Sequence, residues 1–183
     1  MNTSNLTYFV KKLTRLKQGV TKYGKAPHKP VLLISLIELL ERGEVSRNVF
    51  ELNATLVAEF KDNWTLLVSS GNTCDFSLPF YHLQNDGLWH VYLKSGGTLK
   101  SHVRSIFTLQ TMVGYAALDG QLFALLLDGE SRAILLNALL DKYFATAKTH
   151  FLQAKRGGNL WLQHVKQQVL LEGQQAPAMT EDE

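Results

Sequence analysis

The chain has 183 residues, with 19 lysines and arginines against 16 aspartates and glutamates, a formal net charge of +3 and one cysteine. A hydrophobic share of 45% excludes wholesale disorder. One cysteine excludes an internal disulfide and any zinc site built on two or four cysteines. The length fits one domain, read as residues 1–172, followed by a flexible acidic tail or linker stub over 173–183. No apolar run reaches the ~18–20 residues that cross a bilayer, and the polar N-terminus has no signal-peptide core. No membrane partner is expected, and the cytoplasm is the expected compartment.

The charge is polarised. Lys11, Lys12, Arg15, Lys17, Lys22, Lys25 and Lys29 all precede the first acidic residue, Glu38. After them come 12 basic and 16 acidic residues, so the body is slightly acidic. A basic segment of this kind suits a polyanion, because each lysine held against a phosphate releases condensed counterions.

Leu6, Phe9, Val10, Leu13 and Leu16 recur at helical spacing, which predicts an amphipathic helix over 6–18 with its lysines outside. Gly19 to Pro27 reads as a loop, and Pro30 suits the first turn of the next helix. Residues 31–40 are apolar almost all round, the mark of a central buried helix, and Arg42-Gly43 is its expected stop. Ser46 suits the start of a short helix through Phe50, and Asn53 the cap of a longer one through Leu67. These helices together suggest a helix-turn-helix-like core.

Leu78–Leu83 is short and aromatic, Asn85-Asp86-Gly87 is a turn signal, and Leu88–Leu93 alternates like a strand. This pattern predicts a β-hairpin, the shape of a wing. Residues 103–118 fit helix or extended chain. A short helix is expected over 120–128 and a longer one over 130–144, with Ile134, Leu135, Leu139 and Tyr143 inward. Residues 160–171 suit one last helix. The expected fold class is α+β, mostly helical, with a winged-helix-like helical core, a β-hairpin and additional C-terminal helices.

Familiar catalytic motifs are missing: there is no G-x-S-x-G elbow, Walker loop or H-E-x-x-H. His150, Asn159 and His164 stand in a loose H-N-H order, but a nuclease of that type needs a hairpin leading into a metal-binding helix. Cys74 with His82 has no motif context for a thiol nucleophile. Trp89 and His90 read as structural strand residues. No catalytic residue, metal site or cofactor is expected.

Two segments exceed what a core requires. In Lys25-Ala26-Pro27-His28-Lys29-Pro30, two prolines lock a basic stretch onto a helix N-terminus, where the dipole and free N–H groups add to the cations. In Leu78-Pro79-Phe80-Tyr81-His82, the proline is out of place in a paired strand. A-P-H-K-P before a leucine-rich helix, then P-F-x-x-L-Q-N-D-G-L-W, resembles the sulfur-binding domain of phosphorothioate-dependent, McrA-like type IV HNH restriction endonucleases. The resemblance runs from about Leu6 to Phe144 and includes the L-L-x-x-L-L-D-K-Y-F helix.

That resemblance implies a reader of double-stranded DNA in which sulfur replaces one non-bridging phosphate oxygen. His28 and Lys29 would stand near the modified phosphate. Pro79 would floor an apolar cavity for the sulfur, with Leu78, Phe80 and His82 around it. Departing from the family pattern, Leu78 stands where an aromatic is common, His82 where a small residue is common and Lys29 where arginine is frequent. Arg104 and His102 would read base edges in the major groove, while Tyr23, Lys25 and Ser101 would hold the DNA backbone. The resemblance further implies a fused or associated HNH nuclease as effector, with no catalysis in this chain. A homodimer is an additional partner option. Three other readings stay open: a winged-helix regulator of unmodified DNA, a small HNH-like nuclease, and a protein-interaction domain.

Overall fold

The computed structural model describes residues 3–94 and 105–157. The chain divides into two units, residues 1–148 and residues 149–183. The first is mostly helical, with two small antiparallel sheets, an α+β fold. Helix α1 spans Thr3–Leu13, α2 His28–Glu41, α3 Ala54–Leu67, α4 Ser77–His82, α5 Ile106–Met112, α6 Gly120–Leu127 and α7 Gly129–Tyr143. Strands β1 (Val20–Thr21) and β2 (Gly24–Lys25) form a tight ribbon, and β3 (Trp89–Leu93) pairs with β4 (Val113–Leu118). A further helical stretch spans 148–157. The predicted helix over 160–171 and the tail lie outside the described residues. Among the described residues no helix is long and apolar enough to cross a membrane.

Helix α2 is the axis of the first unit. Residues 28–40 are all buried, as a helix apolar on every side must be, and α3, α4 and α7 pack around it. It starts at His28, so Pro30 sits in its first turn, where no N–H partner is lost. Asn53 caps α3 by accepting the Leu56 N–H at 2.9 Å. Leu56, Phe60, Trp64 and Leu67 then face inward.

Four sequence expectations are corrected. The helix expected over 6–18 is α1, Thr3–Leu13, and residues 14–18 leave it as a turn and irregular chain. Leu78–Leu83 is no strand: α4 runs into a 3₁₀ turn over Leu83–Asp86, and β3 finds its partner in 113–118. Residues 46–50 form no helix, because the sheet edge takes them. Asn48 exchanges both amide hydrogen bonds with the Leu118 backbone at 2.7 and 2.8 Å, and Phe50 bridges Ala116. Ile134 lies 40% exposed, while Leu135, Leu136, Leu139 and Leu140 carry the inner face of α7.

Beneath α4 is an aromatic stack. Phe76, Phe80 and Trp89 are buried with ring centroids 5.5 and 5.4 Å apart, and the Trp89 indole N–H donates to the Phe80 carbonyl at 2.9 Å. Removing that donor would break a buried hydrogen bond, at a cost of about 0.5–1.5 kcal/mol. The L-W of the motif therefore fixes the height and pitch of α4, and with it Pro79.

Candidate nucleic-acid interface

The two motifs converge on one cleft of about 460 Å³. One wall comes from the segment Lys17–Gly19 with Thr21 and Ala26. The base is the first turn of α2, His28 and Lys29. The opposite wall is Leu78, Pro79 and His82 of α4, closed by Asn85.

The α4 wall follows from local sequence. Pro79 is the third residue of a helix, within the first turn, where N–H groups have no carbonyl to meet. A proline there loses nothing and lays its ring into the cleft. Leu78 is exposed at the rim, and Pro79 is buried. Phe80, expected beside them, is fully buried in the aromatic stack and does not line the cleft.

The cationic base is built by a ring of hydrogen bonds. Lys29 Nζ lies 2.6 Å from Asp86 Oδ2 and donates to the Lys17 carbonyl at 2.7 Å. The Lys17 N–H in turn donates to Asp86 Oδ1 at 2.7 Å. The Lys17 ammonium reaches the Asn85 carbonyl at 3.2 Å, and Lys12 reaches the Gly87 carbonyl at 2.9 Å. Gly87 has φ +62°, the left-handed turn residue that lets the chain leave the 3₁₀ turn for β3. An ammonium has three N–H donors; Lys29 spends two on protein and keeps one.

His28 is held otherwise. Its Nε2 is 2.8 Å from the Thr73 carbonyl, an acceptor, so Nε2 carries the proton. Its ring lies on Trp64 with centroids 4.6 Å apart. Burial pushes the His28 pKa below the usual histidine value, against the Thr73 bond and the charge of Asp75. His82 is likewise pushed down, by burial and then by the charge of Lys29. Both favour the neutral form at neutral pH, so Lys29, Lys17 and the surrounding lysines supply the charge.

The ribbon wall is anchored from the α3–α4 loop. The Thr21 hydroxyl meets the Asn72 amide oxygen at 2.9 Å, and Gln18 donates to the Ala26 carbonyl at 2.7 Å. Gly24, at φ +100°, makes the ribbon turn. The Tyr23 ring lies against Gly71, so closely that a Cβ there would stand 2.5 Å from Cζ. Lys22 sits 4.9 Å over the Tyr23 ring centroid. Tyr23 and Lys25 are exposed on the ribbon, with Lys22 between the strands and Arg15 and Lys11 exposed on or near α1. Tyr143 fixes the approach: its hydroxyl donates to the Leu13 carbonyl at 2.9 Å and accepts the Leu16 N–H at 3.0 Å.

Ser101, His102 and Arg104 lie outside the described residues, in the segment joining β3 to α5. Of the H-N-H order, His150 is exposed in the second unit, and Asn159 and His164 lie outside the described residues. Cys74 is exposed with its pKa pushed up, chiefly by burial of the sulfur, which favours the unreactive thiol. Among the described residues no group of three or more His, Cys, Asp or Glu is placed to hold a metal ion. Asp86 was legible in sequence only as a turn former, although a buried lysine among seven cations calls for an acid.

Residues 6–157 match the family described as ScoMcrA-like, DNA sulfur-binding domain. The chain belongs to this family of DNA-recognition domains. No curated protein sequence matches it. Its fold is similar to the sulfur binding domain of SprMcrA complexed with phosphorothioated DNA, with TM-score 0.61 and 23% identity, over 80% of this chain and 90% of that one. It is also similar to the sulfur binding domain of ScoMcrA complexed with phosphorothioated DNA, with TM-score 0.56 and 22% identity, over 75% and 87%. Against the type IV phosphorothioation-dependent restriction endonuclease ScoMcrA, the TM-score is 0.53 at 21% identity, covering 74% of this chain and 25% of that protein.

Proposed function

We propose that this chain binds double-stranded DNA carrying a backbone phosphorothioate, as the targeting domain of a modification-dependent restriction system. The observation that carries the reading is the cleft in which Pro79 and Leu78 face Lys29 and Lys17. Replacing oxygen by sulfur keeps the negative charge but makes that edge larger, more polarizable and less strongly hydrated. A site that separates the two should be apolar at the sulfur and cationic at the remaining oxygens. Proline, leucine and the Ala26 methyl supply dispersion and cheap desolvation. Lysine supplies charge-assisted hydrogen bonds. Burying one sulfur contributes only about 1–2 kcal/mol. Backbone contacts from Tyr23, Lys25 and Ser101, and base contacts from His102 and Arg104, bring most of the affinity in this reading. His28 and His82 shape the cleft as neutral groups. Cleavage falls to a fused or associated HNH nuclease.

The test is an equilibrium titration with two duplexes identical except for one Rp phosphorothioate, at two salt concentrations. Tighter binding of the sulfur-bearing duplex is expected, with both affinities falling steeply as salt rises. Equal binding would instead describe a reader of ordinary DNA.

A further inference from the structure

We propose that Asp86 sets the discrimination of the cleft, by restraining Lys29 and offsetting its charge so that ordinary phosphate gains little there. The inference rests on the reading of the cleft as a phosphorothioate site and names the residue that tunes it. The Lys29–Asp86 pair is buried, with side chains 10% and 5% exposed, and the Nζ–Oδ2 distance is 2.6 Å. Asp86 also accepts the Lys17 N–H at 2.7 Å, and Lys29 returns a bond to the Lys17 carbonyl, so the ring closes on itself. The cation at the base of the cleft is therefore neither free to swing outward nor electrically bare.

The chemical consequence is selective. A bare ammonium attracts the compact, strongly hydrated oxygen of a normal phosphate more than it attracts a diffuse sulfur. Normal phosphates also outnumber modified ones along any DNA. With Asp86 behind Lys29, the charge of that pair is offset and the positive field comes from Lys17 and the outer lysines, so a fully hydrated oxygen is poorly repaid at Lys29 for leaving water. Sulfur loses less hydration and gains contact with Pro79, Leu78 and Ala26. The choice between the two atoms then falls to the apolar wall. Asp86 is thus a positioning residue that acts on the ligand through Lys29.

The experiment measures affinity for the paired duplexes with wild type, Asp86→Asn and Asp86→Glu. Asparagine keeps the acceptor for the Lys17 N–H and removes the charge. The expected result for Asp86→Asn is roughly tenfold tighter binding of unmodified DNA, little change for modified DNA, and a preference lowered by about the same factor. Its salt slope should steepen by about 0.9, one further phosphate contact. Asp86→Glu should restore most of the preference. A purely structural role would weaken both duplexes alike at constant preference, and that outcome overturns the inference. Should Asp86→Asn fail to fold with its lysine stranded, Lys29→Met/Asp86→Asn removes both charges. That double variant should keep the wild-type preference at lower affinity, and loss of the preference there overturns the inference. A wild type without any sulfur preference overturns the reading of the cleft and this inference with it. A wild-type preference that Asp86→Asn leaves intact overturns this inference alone.

Discussion

The ammonium of Lys29 meets the carboxylate of Asp86 at 2.6 Å, and this pair ties the first turn of α2 to the Asn-Asp-Gly turn before β3. The two sequence motifs are joined at this contact, between residues 57 positions apart. Removing the cation should therefore be felt twice. Lys29→Met leaves a buried carboxylate with a backbone N–H as its remaining partner, which should cost about 3 kcal/mol or more of stability. It should also weaken binding of both duplexes, because the carboxylate left without its cation repels either phosphate. Urea unfolding and the duplex titration check the two effects separately; unchanged affinity in a folded variant would place the phosphate elsewhere.

Pro79 should matter to the ligand more than to the fold. It occupies a helix position with no hydrogen bond to make, so alanine preserves α4 and costs only about 0.4–1 kcal/mol through the unfolded chain. A wild-type preference of about 5- to 30-fold corresponds to the ~1–2 kcal/mol of sulfur burial. Pro79→Ala, and more so Pro79→Asn, should bring that ratio close to one and leave weak, salt-sensitive binding. A Pro79 variant with the full preference would show that the sulfur sits elsewhere.

Gly71→Ala probes the ribbon without touching a cation. The new Cβ would meet the Tyr23 ring at 2.5 Å. Tyr23 is half exposed and can swing away, so stability should change by about 0.5 kcal/mol or less. Affinity for both duplexes should fall together if Tyr23 holds the DNA backbone as proposed. Tyr23→Ala should show the same loss, and the double variant should show no more than either alone.

Acid should loosen the domain through its buried histidine. The folded pKa of His28 lies below its unfolded value, so the unfolded chain takes up its proton first. The stability from neutral His28 is fully present above about pH 6.5 and is lost as pH falls from there through the lowered folded value. His82 shifts in the same direction and adds to the trend. Urea midpoints should drop between about pH 7.5 and pH 5.5, and His28→Gln should flatten the slope. A midpoint rising toward acid in the wild type would contradict this assignment of charge.

Much of this architecture is legible where its cause is local. The Asn53 cap appears where the sequence predicts it because capping is decided within four residues. Helix α2 is predictable because an all-round apolar stretch has one place to go. The strand at 78–83 failed for the opposite reason. Its aromatics mimic β propensity, but they are buried by a tertiary stack, and the true partner of β3 lies more than twenty residues downstream. Asn48 and Phe50 were lost to the same non-local pairing. At the site, His28, Lys29, Leu78, Pro79 and His82 line one cleft, whereas Phe80 is drawn beneath it. The Asp86 clamp was hidden because its ring of bonds links three separate chain segments.

In the proposed complex the sulfur is received between Pro79 and Lys29. The most direct test is solution NMR of the labelled chain, titrated with the duplex pair. The Ala26 and Leu78 methyl resonances and the Lys29 amide should move differently for the two duplexes, while exposed groups on the ribbon move alike for both. Identical shifts at Ala26, Leu78 and Lys29 for the two duplexes would place the sulfur elsewhere.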